Sequence, residues 1–395
     1  MTIGGAGMYS ISVVLPRIQA DFSVDRGAAS LPYTLTMIGF GVGGVMMGRI
    51  ADRFGVLVPV VIGGLGLGVG FVCAGLAPNL ALFDAAQGVF IGLLGTSATF
   101  APLVADTSKW FDRRRGIALA ICMSGNYAAG AIWPPIIQYF VEQAGWRATY
   151  VGIGVFCAVA MPALALVLRR PPPRQHDVVD SASTAAVSNT LKPMGLSTGV
   201  VQGLLCVAGV SCCVAMSMPQ VHIVAYCSDL GFGAARGAQM LSLMLALGVV
   251  SRLVSGWISD RIGGLRTLLL GSILQGIALL LFLPYTGMVS LYVVSGLFGL
   301  FQGGIVPSYA LIVRQHFSPS EAGARVGTVL MATLFGMALG GWLSGAVFDW
   351  TGSYRAAFIN GIAWNLLNIG IVSFLLWHSA KSMRAVPSAY TSARA

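Results

Sequence analysis

Apolar residues in this 395-residue chain fall in long blocks separated by short charged turns. A helix needs roughly 20 apolar residues to cross a bilayer. Blocks of that length cover about 28–50, 56–77, 80–105, 116–141, 148–168, 196–225, 235–258, 265–285, 288–312, 323–347 and 355–377, eleven predicted spans. Met1 to Leu15 is also apolar, but it stops short at Pro16 and Arg17. That stretch lacks the basic start and small-residue cleavage site of a signal peptide. It reads as the outer part of a first helix whose beginning is missing, followed by a polar loop from Arg17 to Arg26. The expected fold class is therefore an all-α membrane protein with twelve transmembrane helices, the first one truncated.

The charged turns repeat. Gly48-Arg-Ile-Ala-Asp52-Arg53-Phe-Gly55 and Gly256-Trp-Ile-Ser-Asp260-Arg261-Ile-Gly263 share the pattern GxxxDRxG at an offset of 208 residues. Gly145-Trp146-Arg147-Ala148 and Ser353-Tyr354-Arg355-Ala356 lie at the same offset and in the same order. A tandem of two six-helix bundles related by a parallel repeat follows. The predicted boundaries are 1–168 for the first bundle, 169–195 for a linker, 196–378 for the second bundle and 379–395 for a tail. The linker is rich in Pro and Ser, as a flexible connection requires.

Composition excludes a water-soluble domain, because 56% of residues are hydrophobic and 9% charged. If the turns after even-numbered spans face the cytoplasm, 17 of the 23 Lys and Arg residues lie on that side and five opposite. This asymmetry predicts a multi-pass protein of the cytoplasmic (inner) membrane with both termini cytoplasmic. It also accounts for the net charge of +10 without a nucleic-acid partner. Seven cysteines without CxxC spacing read as small apolar fillers, and four scattered histidines offer no metal cluster or nucleophile–base pair. No cofactor and no enzyme activity are expected.

The remaining basic residue is the informative one. Arg252 sits eight residues before Asp260 inside an apolar block, which on a helix places it about 12 Å into the apolar layer. In the other half the equivalent position is Gly44. A lone intramembrane cation marks a candidate site. Asn126, Tyr127 and Gln302 fall near the middle of their spans, and Tyr9 lies on the first helix, so all four are candidate cavity residues beside Arg252. His222 and Asp84 lie toward the outer side and are the candidate proton-titrating groups, with His222 a second candidate ligand. Glycine pairs Gly39/Gly43 and Gly44/Gly48 predict close helix contacts. Bonding between helices as packing glue is the plain alternative for Asn126 and Tyr127, and snorkelling to the interface is the plain alternative for Arg252.

Six-helix halves in tandem, a long central loop and GxxxDRxG after helices two and eight resemble the major facilitator superfamily over the whole chain. A narrower resemblance is to bacterial relatives of the monocarboxylate transporters, including the oxalate/formate-antiporter-like group. It is carried by Trp110-Phe111-Asp112-Arg113-Arg114-Arg115-Gly116 with Ser124-Gly125, by Val221-His222 with Tyr226 and Asp229-Leu230-Gly231, and by Arg252-x-x-x-Gly256. That resemblance implies that Arg252 binds a carboxylate. Two departures bear on coupling. Animal members carry an acidic residue where this chain has Gly248, and a lysine in the first helix where the region near Ser10 has none.

The resulting expectation is a monomeric secondary transporter of a small organic anion, with the lipid bilayer as its surroundings and protons as a candidate coupling partner. The motif residues Gly48, Asp52, Arg53, Gly55, Gly256, Asp260, Arg261 and Gly263, with Arg113 and Arg114, would hold the cytoplasmic side closed in the outward-open state. Drug efflux is the rival within transport, and the absence of a carboxylate deep in the bundle counts against it. A non-transporting membrane sensor is the rival from another class.

Overall fold

The computed structural model describes residues 1–110, 115–169 and 196–385. Among them twelve long helices form: α1 (Ala6–Phe22), α2 (Arg26–Phe54), α3 (Leu57–Gly75), α4 (Leu80–Thr107), α5 (Arg115–Ala144), α6 (Trp146–Arg169), α7 (Thr198–Asp229), α8 (Ala234–Ile262), α9 (Gly264–Leu281), α10 (Met288–His316), α11 (Pro319–Thr351) and α12 (Tyr354–Ala385). None of the described residues lies in a strand. Ten of the helices are long and apolar enough to cross a membrane. Their outward faces stay apolar, as at Val155, Phe156, Val159 and Leu164 on α6, which suits lipid and not water.

Helices α1–α6 form one bundle and α7–α12 the other. Within the first, α3 packs on α6 and α2 on α4; within the second, α7 packs on α11 and α12, and α8 on α10. The bundles meet where α2 lies along α11, α5 along α8 and α1 beside α7. The doubled GxxxDRxG pattern has a backbone cause. Gly55 and Gly263 end α2 and α8 with nearly the same φ, 81° and 82°, a region that glycine enters without steric cost.

Three local departures from the predicted pattern matter for the site. The segment read as a polar loop after Leu15 continues as helix through Pro16 to Phe22, because Ile18 and Phe22 recur at helical spacing and pack inward. Asp21 anchors that extension by accepting from Trp146 Nε1 at 2.6 Å. In α4, Ala86–Thr96 is π-helical, and α10 is broken at Gly303 and Gly304. At the other end of the chain α12 runs on to Ala385, past the predicted start of the tail. Arg113, Arg114 and most of the predicted linker and tail lie outside the described residues.

The glycine pairs divide. A Cβ on Gly39 would lie 2.8 Å from the Leu93 nitrogen, and one on Gly43 would lie 2.8 Å from Ser97 Cβ, so both glycines admit the backbone of α4. Gly44 and Gly48 face open space instead. They line the same end of the molecule as Val42, Val45, Met46, Arg49 and Ile50, which with Met331 of α11 border a cleft of 480 Å³. At this motif end the cleft lies between α2 and α11; at the opposite end the two helices touch, a Cβ on Gly345 of α11 falling 2.9 Å from Gly27 Cα of α2.

Candidate functional site

Arg252 belongs to α8 and is 9% exposed. Its surroundings are made by a helix break. Gly303 has no side chain to hold α10 away from α8: a Cβ there would sit 2.8 Å from Ser251 Cβ and 3.0 Å from the Arg252 nitrogen. The interruption frees the Gly303 carbonyl, which accepts from Arg252 Nε at 3.3 Å, while the Gly303 nitrogen donates to Ser251 Oγ at 3.1 Å. Arg252 Nη1 reaches across the interface between bundles and donates to the Met123 carbonyl of α5 at 3.1 Å. The Tyr127 ring, also on α5, lies under the guanidinium at 4.3 Å from its centroid.

Gly248 explains that ring. A Cβ at this position would stand 2.5 Å from Tyr127 Cε1, so the tyrosine occupies the room that a side chain one turn before Arg252 would need. Among the described residues no carboxylate pairs with Arg252; the ion pairs that form are Arg26–Asp229 and Arg325–Glu321. A guanidinium has five N–H donors in a planar fork. Two of its nitrogens have carbonyl acceptors here, and the Nη2 end of the fork has neither a carbonyl nor a carboxylate acceptor among the described residues.

The other predicted residues fall into two groups. Tyr127 touches Arg252 directly, and Tyr9 is nearby on α1, where a Cβ on Gly130 would lie 2.8 Å from its Cζ. Asn126 is half-buried on the seam between α5 and α1, with Nδ2 3.8 Å from Met8 Sδ. Gln302 is fully buried next to the break in α10, and its Oε1 accepts from Gln220 Nε2 at 3.0 Å. His222 and Asp84 stand apart from this group. His222 Nε2 donates to the Gly341 carbonyl at 2.8 Å, and its Nδ1 lies 3.3 Å from Tyr354 Oη. The Asp84 Oδ1 is buried and has no hydrogen-bond partner among the described residues.

At the motif end Asp52, Arg53, Asp260 and Arg261 are all exposed. Arg53 lies over the Phe54 ring at 5.2 Å and Arg261 over the Trp257 ring at 3.6 Å. Neither aspartate forms an ion pair among the described residues. Sequence reasoning missed Met123, Ser251 and Gly303, because two of the three act through their carbonyls. The Gly303-Gly304 pair was the available signal for a helix break.

The sequence profile of the Major Facilitator Superfamily matches residues 1–290 and 253–389. The chain belongs to that superfamily. It is 27% identical over 350 residues to monocarboxylate transporter 13 of Bos taurus, covering 87% of this chain and 78% of that protein. It is 28% identical over 351 residues to the MFS-type transporter YcxA of Bacillus subtilis, covering 86% of this chain and 84% of that one. Among solved structures, a bacterial homologue of the human lysosomal transporter Spinster, inward-facing and unoccupied, superposes with a TM-score of 0.69 at 13% identity, covering 96% of this chain and 93% of that one. A peptide transporter in complex with alafosfalin gives 0.74 at 12% identity over 96% and 93% of the two chains. The protein is thus a transporter related to monocarboxylate transporters, moving a small molecule across a lipid bilayer, and not an enzyme.

Proposed function

We propose that this transporter carries a small organic anion of the monocarboxylate class, and that Arg252 is the group that binds its carboxylate. The observation behind this reading is a guanidinium at the interface between bundles, held by two carbonyls and an aromatic face, with no carboxylate partner among the described residues. A cation in the bilayer interior costs about 3 kcal/mol or more. A planar carboxylate at the Nη2 end of the fork offsets that cost by charge-assisted, bidentate hydrogen bonding. Tyr127 and Tyr9 form the aromatic wall, and Asn126 and Gln302 supply further polar atoms. The two bundles, 1–168 and 196–378, rock about this site and expose it alternately to either side. By the distribution of Lys and Arg, the motif end faces the cytoplasm and both termini lie there. Asp84 is the site proposed for proton coupling, since both ring nitrogens of His222 are engaged.

The test is a thermal-stabilisation screen of the detergent-purified protein against small mono- and dicarboxylates and a panel of organic cations. Particular carboxylates are expected to raise the melting temperature. Stabilisation by cations or lipophilic drugs alone would overturn the anion reading and favour efflux. Gly248→Val gives a second check, because it drives the Tyr127 ring from under the guanidinium. A buried cation–π contact worth about 2 kcal/mol holds the guanidinium in place; without it the fork loses its orientation and carboxylate affinity should fall, by up to roughly thirtyfold. An unchanged affinity in titrations of the melting shift would show that the ring does not support the site.

A further inference from the structure

At the end opposite the motif turns, one cluster of side chains joins the two bundles. Arg26 is the first residue of α2, and Asp25, which precedes it, makes no capping hydrogen bond to the helix. Asp349, near the end of α11, supplies that cap from the other bundle. Its Oδ1 accepts from the Arg26 backbone N–H at 2.9 Å and its Oδ2 from the Gly27 backbone N–H at 2.6 Å. The Arg26 guanidinium turns the same way. Nη1 donates to Asp229 Oδ2 at 2.7 Å, Nη2 to Asp229 Oδ1 at 3.3 Å, and Nη1 also to Tyr354 Oη at 2.6 Å. Nε donates to Gln19 Oε1 of α1 at 2.8 Å, and the Phe348 ring lies 4.6 Å from the guanidinium carbon.

Two features mark this cluster as more than surface pairing. Asp229 is the last residue of α7 and Asp349 stands in the last turn of α11. Negative charge at a helix C-terminus opposes the helix dipole, whereas at an N-terminus it satisfies orphan N–H groups. Both carboxylates are therefore misplaced for their own helices and well placed for α2. The second feature is backbone contact. A Cβ on Gly345 would lie 2.9 Å from both the Arg26 carbonyl and Gly27 Cα. The helix ends touch with nothing between them, so the bundles cannot separate here while these bonds persist. His222 belongs to the same assembly. Its ring accepts from Tyr354, which in turn accepts from Arg26, and its other nitrogen donates to Gly341 of α11.

We propose that Arg26, with Asp349 capping its helix and Asp229 pairing its side chain, is the latch that keeps this end of the transporter closed. Alternating access requires the latch to break whenever this end opens. At the motif end no ion pair of Asp52 or Asp260 crosses between the bundles among the described residues. This inference depends on the superfamily fold and not on the identity of the cargo.

The experiment uses the full chain with its native cysteines replaced by serine or alanine and spin labels placed in pairs. One pair, at Val24 and Phe232, reports the Arg26 end; the other, at Phe54 and Ile262, reports the motif end. Arg26→Gln and Asp349→Ala should each raise the population with a lengthened Val24–Phe232 distance roughly tenfold, with the Phe54–Ile262 distance shortening in the same molecules. If either variant fails to accumulate, Arg26→Lys and Asp349→Asn, which each keep part of the bonding, should give a smaller shift of the same sign. Distance distributions unchanged from the parent in folded variants would overturn the latch. A loosening of both ends together would also overturn it, since that is the result of general destabilisation.

Discussion

Replacing Gly43 with valine is expected to leave little folded protein, while the same change one residue later, at Gly44, leaves it intact. A Cβ at Gly43 would lie 2.7 Å from Ser97 Oγ and 2.8 Å from Ser97 Cβ, and the Leu93 carbonyl is nearer still. Flexible side chains can step aside from such a clash; a helix carbonyl cannot without unwinding its own turn. At Gly39 the obstacles are likewise backbone, the Leu93 nitrogen at 2.8 Å and the Gly92 carbonyl carbon at 3.2 Å. Overpacking of this kind costs about 3 kcal/mol or more, and in lipid no hydrophobic drive pulls the helices back together. Gly44 has nothing within 4 Å, and valine there is slightly better than glycine in a helix. Fluorescence-detected gel filtration and thermal melts of the two variants decide the matter. Equal yields and melting temperatures would show that α2 and α4 do not pack backbone to backbone.

That contrast also shows how far sequence carries. The spacing Gly39/Gly43 and the spacing Gly44/Gly48 are indistinguishable as text, yet one pair holds α4 and the other faces open space. Direction around a helix decides which, and a span that is apolar on every side carries no marker of direction. The repeated GxxxDRxG was legible because its last glycine answers a local demand, the positive φ at Gly55 and Gly263. Arg252 was legible because a charge in an apolar block is rare. Its partners were not, since the Met123 and Gly303 carbonyls are groups that every residue possesses. The latch was hidden for another reason: Arg26 and Asp349 stand 323 residues apart, and each looks like an ordinary charged residue at a helix end. His222 drew attention as a titratable group, but its place beside Tyr354 and Gly341 could be learned only from the packing of α7 against α11 and α12.

Arg252→Lys is expected to abolish carboxylate-dependent stabilisation and transport while sparing the fold. Lysine keeps the charge but replaces a planar fork with a point charge on a flexible stem. It cannot hold the Gly303 and Met123 carbonyls, now bonded to Arg252 at 3.3 and 3.1 Å, and at the same time offer two parallel donors to a ligand. Loss of a bidentate, charge-assisted pair costs about 3 kcal/mol, or roughly a hundredfold in affinity. Stability should change less, because an ammonium retains one carbonyl and part of the contact with the Tyr127 ring at 4.3 Å. The rival reading, in which Arg252 is only a tie between α8 and α5, predicts the reverse. A tie weakened to one hydrogen bond lowers the melting temperature and leaves ligand-induced shifts in place. Melting curves with and without a stabilising carboxylate, together with uptake into proteoliposomes, separate the two. A lysine variant that still transports with unchanged affinity would remove Arg252 from the binding site and leave the guanidinium as structure alone.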